Sequence, residues 1–152
     1  MNKKISLLLC VCCLGNICQA DPVEEIRDLQ NKLKSGVSRI QKRKLLQEME
    51  DRAFNWHGEI NGSIKSVVDN IFSRTQSQDD RKIIILNTLL LLAFPEDCLG
   101  VTKLIEEIKD IKGVRNTDIG NLLNGIKEHL RLSEDFSPIV IFSKRYPIEP
   151  AE

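Results

Sequence analysis

Along most of the chain apolar residues recur at steps of three and four, the period of one face of an α-helix. Val23, Ile26, Leu29, Leu33, Val37 and Ile40 form the first such stripe, narrow enough to resemble a coiled-coil seam. Asp21-Pro22 marks its start. Asp caps a helix, Pro suits the first helical position, and Glu24 and Glu25 then occupy a first turn that favours negative charge. Gly36 falls inside the stripe, as a kink or an end. A second segment, from about Ser38 to Trp56, carries Ile40, Leu45, Leu46, Met49, Ala53 and Trp56 and stops near Gly58. The pattern leaves open whether it continues the first helix. Ile60, Ile64, Val67, Val68, Ile71 and Phe72 predict a third helix.

The polar run 73–80 breaks the pattern and suggests a hinge between two halves of one domain. The next segment, Asp80 to Phe94, differs in kind. Ile83 to Leu86 and Leu89 to Phe94 are apolar, and only Asn87 and Thr88 interrupt them. A helix apolar on all sides must be covered on all sides. This one is shorter than the roughly 20 residues a bilayer span needs, and Pro95 ends it. It reads as the central helix of a core. Val101, Leu104, Ile105, Ile108 and Ile111 give a fifth helix, closed by Gly113. Ile119, Leu122, Leu123, Ile126 and Leu130 give a sixth, with capping residues in Asn116-Thr117-Asp118. Its Gly120 and Gly125 each weaken it by about 1 kcal/mol relative to Ala but permit close approach of a neighbour.

The tail departs from the helical rule. Pro138-Ile139-Val140-Ile141-Phe142 is β-branched, uncharged and short, a strand signal, and Pro147 and Pro150 extend the end. No second strand stands elsewhere to pair with it. The expected fold class is therefore all-α: a compact bundle of five to six helices around a central apolar helix at about 80–94, with an extended C-terminal arm over 137–152.

The first twenty residues add a destination. Met1-Asn2-Lys3-Lys4 is basic, Ile5 to Ile17 is broken only by Ser6 and Asn16, and Cys18-Gln19-Ala20 leads into an acidic stretch. This is the tripartite plan of a secretory leader. The expectation is a cleavable signal peptide over 1–20, cut after Ala20, and one exported helical domain over 21–152, periplasmic or secreted. A retained anchor is the competing reading. Lipidation of a leader cysteine is another, although Ile17 before Cys18 and Leu9 before Cys10 depart from the small residues that such processing requires. Of the five cysteines, Cys10, Cys12, Cys13 and Cys18 would leave with the leader. The remaining Cys98 cannot close an intrachain disulfide. It is expected as a small buried apolar residue, with pairing between chains as the other reading.

Charge excludes one class of partner. Of 22 basic side chains Lys3 and Lys4 lie in the leader, whereas the 22 acidic ones all follow it, so the clipped chain is slightly acidic. Without a positive field, nucleic acid is not an expected partner. The clearest local charge feature is Lys32, Lys34, Arg39, Lys42, Arg43 and Lys44, with no acid between them. It reads either as a patch for an acidic protein or an anionic membrane surface, or as a solvated helix face with Lys44 and Glu48 paired four apart.

Candidate chemistry is sparse. The two histidines are His57 and His129, and no HExxH, glycine-rich phosphate loop, GxSxG elbow or EF-hand spacing occurs. No catalytic residue, metal ligand or cofactor is assigned. Cys98 has no surrounding catalytic signature, and Glu96 and Asp97 oppose its thiolate. Trp56-His57-Gly58-Glu59 is the most distinctive cluster: a helix end where Trp56 packs and His57 meets the last carbonyls, or the seat of a general acid in Glu59. Asn61-Gly62-Ser63 is a glycosylation acceptor in a eukaryotic secretory route and otherwise a turn.

These features point to an exported small helical binding protein without catalytic activity, such as an inhibitor, an immunity-type protein or an adaptor or chaperone. Its expected partner is another protein, with an anionic membrane surface as a second candidate. The candidate contact residues are Arg39, Lys42, Arg43, Lys44 and Trp56, with Ile139, Val140, Ile141 and Phe142 as a strand that adds to a partner's sheet edge or lies over its own helices. The alternative is a small exported hydrolase acting on cell-envelope glycan, with Glu59 as general acid.

Overall fold

The computed structural model describes residues 21–133 and 136–147; the proposed leader and residues 148–152 of the tail lie outside the described residues. Among the described residues the chain forms seven helices and no strand. The all-α expectation holds, and the boundaries follow from local chemistry.

Helix α1 (Pro22–Lys34) starts where the Asp21 carboxylate accepts the Val23 N–H at 3.0 Å. It stops before Gly36, whose φ of +85° only glycine adopts without strain. Helix α2 (Arg39–His57) is therefore separate. It opens on a capping box: the Gln41 N–H donates to the Ser38 hydroxyl at 3.2 Å, and the Ser38 N–H donates to the Gln41 side chain at 3.3 Å. Asn61 caps α3 (Gly62–Phe72), accepting from the Ser63 N–H, so the Asn61-Gly62-Ser63 stretch serves as a helix start. Ser77 caps α4 (Gln78–Ala93) and Asp97 caps α5 (Cys98–Lys109). In α6 (Asn116–Leu130) Arg115 stands at the cap position, and its N–H donates to Asp118 Oδ2 at 2.8 Å.

The polar stretch between α3 and α4 is tied on both sides. Arg81 donates to the Thr75 and Phe72 carbonyls, and the Thr75 hydroxyl donates back to Ile71. Arg74 spans to the other half, reaching the Gly113 carbonyl at 3.2 Å and the Asp118 carboxylate at 2.5 Å. Asp118 is buried and also accepts the Arg115 N–H, so its carboxylate is held from both sides.

Helix α4 runs through the middle, packed against α1, α2 and α5 and touching α3 and α6. Ile84, Ile85, Leu89 and Leu91 are completely buried on it. Its two polar interruptions have structural work: the Thr88 hydroxyl bonds the Ile84 carbonyl at 2.7 Å, and the Asn87 amide ties α4 to α5. The expectation that α4 is covered on every side is corrected. Ile83, Leu86, Leu90 and Phe94, spaced three or four apart on one face, remain partly exposed, because no helix among the described residues closes the groove over that face.

The expected strand is also corrected. Pro138 to Ser143 is a short helix, α7, with Pro at its first position. The physical reason is backbone satisfaction. Ile139 and Val140 are buried against the bundle, no strand among the described residues receives their N–H and C=O groups, and a helical turn satisfies them within the segment. The Ser137 hydroxyl pins its start by donating to the Pro95 carbonyl at 3.2 Å. Gly120 of α6 lets the chain just after α7 pass close, since a Cβ there would collide with the Tyr146 carbonyl. Gly125 only meets Ile64 at ordinary contact distance.

Cys98 is a third correction. It is exposed in the first turn of α5, whose buried side is taken by Val101, Ile105 and Ile108.

Candidate interaction surface

The open face of α4 forms the floor of a concavity shared by four helices. It is a groove of about 340 Å³ between α1, α2, α4 and α5, within the size range of small binding sites. Leu86, Leu90 and Phe94 come from α4, Leu46 and Met49 from α2, and Leu104 from α5. A satellite hollow lined by Ile83, Leu86 and Glu50 continues it toward the start of α4. Leu46 on the rim is 49 % exposed.

The border is charged. Lys34 Nζ lies 4.8 Å above the Phe94 ring and 4.0 Å from Asp97 Oδ2. Asp97 also holds the Gly100 N–H as the cap of α5. Glu107 accepts from the Asn87 amide nitrogen at 3.0 Å, and the same nitrogen donates to the Leu104 carbonyl at 3.1 Å. Both acidic groups of the border are thus engaged within the protein. Lys103 is in no ion pair among the described residues. Asn87, 5 % exposed, lines the groove, and among the described residues its carbonyl oxygen accepts no hydrogen bond.

Arg39 and Lys42 flank Leu46 in an adjoining hollow of α2. Together with Arg43 and Lys44 they are exposed, and none of the four is in an ion pair among the described residues. The expected Lys44–Glu48 pair gives way to Glu48–Arg52 at 3.0 Å. Of the sequence-predicted contact residues, this basic set is at the surface and beside the groove.

Trp56 is not. It is 1 % exposed, and its indole N–H donates to Glu25 Oε2 at 2.9 Å while Arg52 takes the other Glu25 oxygen at 2.8 Å. Its polar atom finds a partner at the edge of the core, so the side chain anchors α2 to α1 and cannot meet a partner. Ile139 and Val140 are buried, Phe142 is half-buried, and Ile141 is 44 % exposed. With α7 helical, no free strand edge is offered by these residues.

The cluster is the helix end at which Trp56 packs, but His57 meets a carboxylate and not the last carbonyls. His57 ends α2, and its Nε2 lies 2.7 Å from Asp69 Oδ1, with its ring 4.9 Å from that of Phe72. Lys65 holds the other Asp69 oxygen at 3.0 Å. Burial pushes the Asp69 carboxyl up, but hydrogen bonds and charge from Lys65 and His57 outweigh it and hold the group below its usual value. The trio joins α2 to α3. Glu59 is exposed and lines a separate cavity of about 260 Å³ with Asp21 and His129. Among the described residues, no three His, Cys, Asp or Glu side chains are grouped to hold a metal ion, and no helix is long and apolar enough to cross a membrane.

Sequence reasoning missed the groove itself. Its signal lay inside the apolar run as the spacing Ile83, Leu86, Leu90, Phe94, hidden because the intervening positions are apolar too. Asn87, the one amide in the run, marked the edge.

Comparison with known protein families, with curated proteins and with solved structures finds no match for this chain.

Proposed function

We propose that the chain is an exported helical binding protein that acts without catalysis and takes a partner protein in the α4 groove. The observation that carries this reading is the stripe of Leu86, Leu90 and Phe94, left half-covered on the helix that otherwise forms the centre of the core. A concave apolar floor with a charged border suits the apolar face of an amphipathic helix. Lys103, Arg39 and Lys42 favour a partner with acidic flanks, since the acidic side chains of the border are already engaged. Export rests on the leader pattern of residues 1–20, and inhibitor, immunity-type and adaptor roles all suit such a domain. The test is capture from the native exported fraction with wild type and with Leu90→Glu, whose side chain is already partly exposed. The expected result is a protein retained by wild type and lost with Leu90→Glu at unchanged helical content. Identical protein sets from both would overturn the reading.

The hydrolase alternative has one geometric support, the gathering of Glu59 with Asp21 and His129 around one cavity. It requires turnover of cell-envelope glycan that Glu59→Gln abolishes.

A further inference from the structure

Helix α2 presents two faces. Met49, Ala53 and Trp56 are buried against the bundle. On the opposite side, at the matching helical spacing, stand Ile40, Arg43, Lys44, Gln47, Glu50, Asp51 and Phe54, all exposed. Ile40 is 71 % and Phe54 39 % exposed, at the two ends of the row.

The order along this row is symmetric in polarity about Gln47. Seven residues away on either side is an apolar side chain, Ile40 or Phe54. Three and four residues away lie two bases on one side, Lys44 and Arg43, and two acids on the other, Glu50 and Asp51. A two-fold axis through Gln47 would set a second α2 antiparallel to the first. It would bring Ile40 against Phe54, Arg43 against Asp51 and Lys44 against Glu50, each twice.

None of these charges is satisfied by an ion pair within the protein among the described residues; Asp51 only accepts from the Gln47 amide at 2.9 Å. Within one helix Arg43 and Asp51 are separated by about 12 Å along the axis, at 1.5 Å per residue, too far to meet. Parallel pairing would put base on base and acid on acid. The row is therefore complementary to itself in one orientation only, which is the condition for an isologous two-fold contact.

From this juxtaposition we infer that the chain self-associates as an antiparallel dimer through the outer face of α2, the second copy being the occupant. The row faces away from the groove floor, which lies on the side of α2 toward α4, and the two surfaces meet only along the rim at Leu46, Glu50 and Ile83. Leu46, and Ile83 of α4 in the hollow it shares with Glu50, are exposed and widen the apolar part of the contact. The row spans about four helical turns, less than a standard interface of roughly 1,600 Å² requires. The dimer is accordingly reversible and sensitive to salt.

Sedimentation equilibrium on the purified chain tests this with two charge reversals. Wild type is expected to approach twice the monomer mass with rising concentration at low salt and to fall back at about 1 M salt. R43E/K44E and E50K/D51K alter only exposed positions, and each alone is expected to dissociate at least tenfold more readily than wild type. Mixed in equal amounts, the acidic row of one and the basic row of the other should restore a one-to-one dimer at least as tight as wild type. A wild type that stays monomeric at millimolar concentration and low salt overturns the inference. So do single variants that dimerise as wild type does, or folded variants that fail to associate on mixing.

Discussion

Two stretches of this chain look alike in composition and ended in the same secondary structure for different reasons. Ile83 to Phe94 and Pro138 to Phe142 are both nearly free of polar side chains. The longer one exceeds the length at which a strand is plausible, so its apolar run reads correctly as helix. The shorter one has strand-like residues and is helical all the same. Its intrinsic preference loses to the cost of burying Ile139 and Val140 with unpaired backbone groups. Propensity spans about 1 kcal/mol for a strand position, whereas a buried unpaired polar group costs about 1–3 kcal/mol. The comparison also works in reverse. The long run was expected to be enclosed, yet one of its faces is open; the short run was expected as an extended strand, added to a partner's sheet or laid over its own helices, yet it is a helix with Ile139 and Val140 in the core.

The contrast can be broken most strongly on α4. Leu89→Ala, at a completely buried site, should lower unfolding free energy by about 3–4 kcal/mol, and Leu90→Ala on the groove face by less than about 1.5 kcal/mol. Urea titration measures both, and equal losses would mean that α4 is enclosed after all. The second comparison distinguishes helix from strand in the tail. In a strand Ile139 and Ile141 share a face, whereas in α7 Ile139 is buried and Ile141 is 44 % exposed. Ile139→Ala should cost about 2–3 kcal/mol and Ile141→Ala under about 1 kcal/mol. Similar costs would restore the strand. The smallest effect concerns how α7 is seated. Gly120→Ala forces the Tyr146 carbonyl away and should cost about 1–3 kcal/mol, with faster amide exchange over 138–146. Gly125→Ala, where the new Cβ meets Ile64 only at 3.6 Å, should be neutral or stabilise by up to about 1 kcal/mol.

Much of the candidate surface was visible as residue types but not as a place. Arg39, Lys42, Arg43 and Lys44 read as a basic run and are exposed; Glu48, four residues after Lys44, pairs with Arg52 instead. Trp56 drew attention for its rarity, but rarity carries no direction, and its indole went to Glu25, 31 residues earlier. Cys98 was expected inside on average behaviour; its position in the first turn of α5, beside the Asp97 cap, put it outside. The groove needed four helices at once, and Lys34, Leu46, Leu90 and Lys103 share no local pattern.

What the sequence decided by itself is short-range. The caps Asp21, Ser38, Asn61, Ser77 and Asp97 and the left-handed Gly36 act within a few residues, so the starts of five helices and the break between α1 and α2 are written locally. The polarity order along α2 is likewise a property of the chain alone. Tertiary structure decided which face of α4 is left uncovered, where the Arg74–Asp118 pair joins the two halves, and that the tail coils instead of extending. Those outcomes depend on which groups lose water together. Desolvation belongs to assembled surfaces, and no single stretch of chain carries it.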